Sequence, residues 1–191
     1  MTLQIAQQPD ADALLDRDPL ALLVGMLLDQ QFPMERAFAG PYLLAQRMGV
    51  DHLNVYDMAE HDPETFATLF VGPPAIHRFP GAMAGRVQAL ARLLVADYDG
   101  HAEAVWEGAQ SGAELHSRLA TLPGFGAQKA RIFVALLGKQ RGVQPPGWRE
   151  AAGMYGEDGS FRSVADVTSP ESLQKVRDHK KEMKAAARAG A

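Results

Sequence analysis

The chain has 191 residues, of which 47% are hydrophobic and 22% charged, enough to bury the core of one domain and too little polar tract to stay unfolded. It contains no cysteine, which excludes disulfides, zinc-thiolate sites and iron–sulfur clusters. The net charge of −4 excludes a uniformly basic nucleic-acid surface, so any contact with a polyanion must come from a local patch.

Met1 to Gln8 has neither the basic start nor the apolar stretch of a signal peptide, and the expectation is a cytoplasmic protein with no membrane partner. Asp18-Pro19 reads as an N-cap followed by proline at the first helical position. The run Leu20 to Leu28 is apolar on every side, too short to cross a bilayer, and predicts a helix buried all round. It ends abruptly in Asp29-Gln30-Gln31-Phe32-Pro33. Met34 to Arg47 predicts an amphipathic helix, bent at Gly40-Pro41, and Asp62-Pro63-Glu64 starts a short helix through Phe70.

A loop rich in proline and glycine follows. Met83, Val87, Leu90 and Leu94 then recur at helical spacing, so Ala82 to Tyr98 is read as an amphipathic helix. Trp106 is assigned to another helix, and Ala113 to Ala120 to the next. Beyond Gly138 the chain turns glycine- and proline-rich, with one short helix around Trp148 to Ala152. Ser169-Pro170-Glu171 caps a last helix through about Ala187, with Lys175, Lys180, Lys181 and Lys184 on its basic face. No stretch alternates at period two, and the fold class expected is all-α.

The most informative segment is Leu122-Pro123-Gly124-Phe125-Gly126-Ala127-Gln128-Lys129-Ala130. Pro123 and Gly124 suit a tight turn, Gly126 permits a positive φ, and Ala127 opens a helix whose first amides lack intrahelical partners. Free N–H groups at the positive end of a helix dipole suit a phosphate. The amides of Gly124, Gly126 and Gln128, with Lys129 nearby, are the candidate contacts to a DNA backbone. A turn of this kind also serves as a plain architectural joint, and a helical protein-interaction domain is the reading that goes with it.

This pattern, the buried helix ending in Asp29-Gln30-Gln31 and the arginine-bearing helix around Arg86 occur in an order that resembles the helix-hairpin-helix (HhH-GPD) base-excision DNA glycosylase superfamily, and within it the short actinobacterial members. The resemblance implies a single domain over residues 1–191: a two-lobed helical fold with a cleft, a best-matched core at 18–138, the hairpin at 113–138, and a loop-rich segment with a C-terminal helix at 139–191. It implies a double-stranded DNA partner bearing a damaged base, and flipping of that base into the cleft while a side chain fills the vacated stack. Gln30 or Gln31 is the candidate filler. It further implies no organic cofactor, with a monovalent cation coordinated by hairpin carbonyls.

In the family a lysine just after the hairpin forms a Schiff base with the sugar. Gln128 stands there, and Lys129 is turned about 100° further around the helix. The implied activity is a monofunctional glycosylase that hydrolyses the N-glycosidic bond without strand cleavage. The family's aspartate, about eighteen residues beyond Gln128, is replaced by Pro146. Asp29 and Glu150 are the candidate catalytic acids, Asp29 favoured because an acid directly after an apolar helix is partly desolvated. Their plain alternatives are a helix-end hydrogen-bonding group and a solvated helix residue. The missing aspartate also supports a catalytically silent binder of damaged or distorted DNA. His77, Arg78, Phe79 and Trp148 are candidate base-pocket residues; their plain alternatives are a loop anchor with Phe79 in the core and Trp148 as a core or loop anchor. The other histidines show no metal-ligand spacing.

Overall fold

The computed structural model describes residues 2–191. Among these residues ten α-helices follow one another: α1 (Pro9–Arg17), α2 (Pro19–Leu28), α3 (Met34–Met48), α4 (Val55–Glu60), α5 (Pro63–Val71), α6 (Pro80–Tyr98), α7 (Gly112–Ala120), α8 (Ala127–Gln140), α9 (Trp148–Ala152) and α10 (Pro170–Ala189). Short 3-10 turns lie at Ala102–Val105, Gly153–Gly156 and Val164–Asp166, and there is no strand among the described residues. No helix among them is long and apolar enough to cross a membrane.

Helix starts are fixed by local chemistry. The Asp18 carboxylate accepts from the Leu20 and Ala21 amides at 2.9 and 3.2 Å while its other oxygen takes the Leu53 amide at 3.0 Å. One side chain thus caps α2 and ties down the approach to α4. Asn54, Asp62, Ser111 and Ser169 cap α4, α5, α7 and α10 in the same way. Proline opens α1, α2, α5, α6 and α10, where its missing N–H costs nothing.

The central helix α2 buries every residue from Leu20 to Leu28. It lies against α3, and the two approach so closely that a Cβ on Gly25 would stand 2.7 Å from the Phe38 ring. Helices α4 and α5 pack on α6, while α7 and α9 pack on α8. Gly138 of α8 lies under the Trp148 ring, where a Cβ would come within 2.3 Å of it. Trp148 is therefore a buried anchor between α8 and α9.

The C-terminal segment is fastened to α8 by one carboxylate. Asp166 receives Lys139 Nζ at 2.6 Å, the Arg162 amide at 2.8 Å and the Ser160 hydroxyl at 3.3 Å. The pair is almost wholly buried and every Asp166 oxygen is partnered, so removing either partner would strand a charge. Arg177 makes an ion pair with Glu35 and so fixes α10 against α3. These ties decide where the loop 153–162 and the first half of α10 stand.

Two expectations need correction. Trp106 follows the 3-10 turn Ala102–Val105 rather than sitting in a helix; its ring meets Phe133 edge-on at 5.9 Å. Helices α1 and α4 were not anticipated. The first uses only Ala11, Leu14 and Leu15 as a buried stripe beside a buried Asp12, and the second is too short to show a period.

Candidate nucleic-acid interface and cavity

The hairpin between α7 and α8 is closed by the Phe125 amide donating to the Leu122 carbonyl at 3.1 Å. Gly124 has φ +78° and Gly126 φ +124°, ψ 173°, a backbone region open essentially to glycine alone. The Ala130 amide reaches the Gly126 carbonyl at 2.9 Å, but the amides of Gly124, Gly126, Ala127, Gln128 and Lys129 have no acceptor among the described residues. Gly126, Ala127 and Gln128 are exposed, and a Cβ on Gly126 would meet nothing within 4 Å. The bend is uncovered on the side of Gly126 to Gln128 and part-buried at Gly124 and Phe125.

Beside it opens a cavity of about 650 Å³ whose lining includes Met26, Asp29 and Gln30 from the end of α2, Gly124 to Lys129 from the hairpin, Ile132, and Met154, Tyr155 and Arg162. His179, Lys180 and Met183 of α10 complete it. Six of the residues singled out from sequence, Asp29, Gln30, Gly124, Gly126, Gln128 and Lys129, thus share one wall-to-wall space. Glu150 does not line it: the side chain is exposed at the start of α9 and folds toward Gly147. Trp148 lies outside it as well.

Asp29 ends α2, at the negative end of the helix dipole. Burial pushes its carboxyl above the usual carboxylate range, against the pull of Lys180 and Lys129. Lys129 points inward rather than to the hairpin face. Its Nζ donates to the Met26 and Leu27 carbonyls at 2.9 and 3.0 Å, capping α2 with a cation. Burial lowers its pKa to about 8, Asp29 opposing the change and Arg86 adding to it. Gln128 takes the outward position and donates to the Tyr155 hydroxyl at 3.0 Å.

The two glutamines are unlike. Gln30 is pinned: its amide nitrogen donates to the Leu27 carbonyl at 2.6 Å, its side-chain oxygen accepts from Arg86 at 2.6 Å, and its main-chain carbonyl is held by His77 at 2.9 Å. Gln31 is exposed, at the apex of the turn between α2 and α3, with φ +52°. A non-glycine residue in that region is uncommon and singles out the turn.

His77 is buried and neutral. Its Nδ1 accepts from the Phe79 amide at 3.0 Å, which leaves Nε2–H to donate to Gln30, and burial holds its pKa below the ordinary value. It positions the glutamine turn and stacks on Phe32 at 4.7 Å. Phe79 is 43% exposed with Arg78 over its ring at 5.2 Å, so these two are surface residues outside the main cavity. Arg78 lines an adjoining groove with Asp29, Gln31, Phe32, Pro33, Lys180 and Lys184. No group of three or more His, Asp or Glu among the described residues stands together as a metal site.

Tyr155, Arg162 and Met183 escaped the sequence reading, in which Lys180 belonged to a basic helix face read as either a second patch or a solvated surface and His179 to the histidines without metal-ligand spacing. Their only sequence signal is the basic stripe of α10; the rest depends on how Asp166 and Glu35 dock the C-terminal segment. The chain matches no family model, no curated protein and no solved structure.

Proposed function

We propose that the protein is a DNA-binding repair protein of the helix-hairpin-helix glycosylase type, hydrolysing the N-glycosidic bond of a damaged base without strand cleavage. The observation that carries this is the contiguity of uncovered hairpin amides, an acid at a buried helix end and a cavity able to take a base. The amides of Gly126 to Lys129 donate to no acceptor among the described residues and are free to donate to phosphate oxygens, contacts that position a duplex without reading sequence. Hairpin carbonyls of Pro123 and Gly124 accept no hydrogen bond either, and oxygen donors of that kind suit a monovalent cation bridging to the phosphate.

The flipped base enters the cavity among Phe125, Tyr155 and Met26, and Gln31, rather than the pinned Gln30, fills the stack. The cleft of the expected two-lobed fold corresponds in this reading to the space between α2, the hairpin and α10. As the C1′–N bond breaks, the base leaves with the electron pair and takes a proton from solvent, and positive charge develops on the sugar. The Asp29 carboxylate stabilises that charge and accepts a proton from the water whose oxygen bonds to C1′. A carboxyl raised above its usual pKa is a stronger base than an exposed one.

The test is incubation with duplexes carrying uracil, hypoxanthine, alkylated purines or 8-oxoguanine, followed by alkali, for wild type and Asp29→Asn. Abasic product from one duplex, abolished in the variant, is the expected result. A second reading, a silent binder of distorted DNA, is favoured by one observation: Pro146 occupies the family's aspartate position and Glu150 lies outside the cavity. Binding with no abasic product from any duplex would select it.

A further inference from the structure

Helix α10 is half docked and half free. Leu173 and Val176 are buried and Arg177 is paired with Glu35, whereas every residue from Lys181 onward is exposed. One side of it carries cations and no acid. Lys180, Lys184 and Arg188 follow at i, i+4 and i+8 along one side, while Asp178 and Glu182 lie about 200° round, where with Lys175 and the loop 157–162 they line a separate groove of mixed charge. That far side interleaves the two signs as a solvated helix ordinarily does, and the basic side does not.

The basic side does not face open solvent alone. Lys180 and Lys184 line a groove of about 480 Å³ together with Arg78 and the exposed Gln31, and Asp29 is the one acid in it. This groove shares Asp29 and Lys180 with the main cavity, so it continues the same surface on the side away from the hairpin. From Lys180 to Arg188 the stripe runs about 12 Å, a length over which one B-DNA strand presents three to four phosphates.

We propose that Lys180, Lys184 and Arg188 of α10, with Arg78, form a second backbone-phosphate site that holds the duplex across the cavity from the hairpin, with Gln31 between the two grips. This rests on the nucleic-acid reading above and adds a partner surface to it. A strand held at two separated points is bent over the glutamine turn, which lowers the cost of unstacking the base opposite.

The experiment measures binding of a fluorescent duplex by the full chain between 50 and 200 mM salt. Wild type is compared with Lys180→Gln/Lys184→Gln/Arg188→Gln and with Arg17→Gln/Arg92→Gln/Lys175→Gln, which has the same net charge but alters side chains outside the groove. Each phosphate contact contributes about 0.9 to the slope of log K against log salt. The α10 variant is expected to lose about 2.7 of slope, so that raising the salt weakens it about 40-fold less than wild type. The second variant should keep the wild-type slope. Equal slopes in wild type and the α10 variant, with both bound, overturn the second site while leaving the hairpin reading in place. No binding by wild type at 50 mM overturns the nucleic-acid reading itself. Vesicles containing phosphatidylserine form a further arm: capture lost in the α10 variant while duplex binding is unchanged assigns the stripe to a lipid surface and overturns the proposal.

Discussion

Gly126→Ala separates a role in binding from a role in folding. At φ +124°, ψ 173° an alanine stores about 1–3 kcal/mol of backbone strain, but its Cβ meets no atom within 4 Å. Gly49, the left-handed end of α3 at φ +71°, also has open space around it, and an alanine there costs about 1–2 kcal/mol. In a chain of this size both variants should lower Tm by a few degrees, about 2–4 °C for each kcal/mol. They diverge in binding. Relief of strain at position 126 rotates the peptide planes that carry the free amides of Gly126 and Ala127, and a hydrogen bond to a charged group is worth about 1.5–3 kcal/mol. Gly126→Ala should therefore bind a duplex about tenfold to a hundredfold more weakly than wild type, and Gly49→Ala should match wild type. Fluorescence anisotropy at one low salt concentration, beside thermal melts by circular dichroism, reads both quantities. If Gly126→Ala binds within twofold of Gly49→Ala, the amides do not hold the phosphate.

The cavity makes further predictions. Asp29→Asn should reduce base release about a hundredfold or more while duplex affinity holds, and Glu150→Gln should leave both unchanged, as single-turnover assays on a cleaved lesion would show. The pH profile of base release should be bell-shaped: it falls at low pH as Asp29 takes up a proton above its ordinary 3.8, and falls above about 8 as Lys129 loses its charge beside that carboxylate. Lys129→Arg should remove the upper limb, and an unchanged upper limb in that variant would dissociate Lys129 from it. His77 has a folded-state pKa below 6.5, so the unfolded chain binds the proton more readily and stability should drop as pH falls through that value; denaturant midpoints for wild type and His77→Gln, in which the drop is absent, check the sign. Gly138→Ala forces a methyl into the rigid Trp148 ring at 2.3 Å and should cost about 1–3 kcal/mol with duplex affinity intact, since neither residue lines the cavity.

The helices that carry their own start signals were legible because those signals are local. Asp18-Pro19, Asp62-Pro63 and Ser169-Pro170 each cap the helix that follows, and the hairpin bounds follow from the two glycines around Phe125. Helix α4 escaped because its six residues are shorter than two turns, and Trp106 because a 3-10 turn has no amphipathic period to read. The site divides along the same line. Asp29, Gln30 and the hairpin residues mark two helix ends whose chemistry is written beside them, whereas Tyr155 and Arg162 enter the cavity only because Lys139 and Asp166 dock their segment on α8, and Lys180 because Arg177 pairs with Glu35.

Lys129 shows how a single step along a helix changes the chemistry available. From sequence it stood beside the phosphate contacts; in the fold its ammonium turns toward the end of α2 and bonds the carbonyls of Met26 and Leu27. That arrangement satisfies two of the carbonyls a helix leaves orphaned at its C-terminus, and it brings a cation near an acid whose pKa burial raises. Gln128, facing outward on Tyr155, offers no amine to a sugar. The amine of this hairpin is thus held at the end of α2, where its charge opposes the upward push of burial on Asp29, and position 128 itself presents an amide rather than an amine.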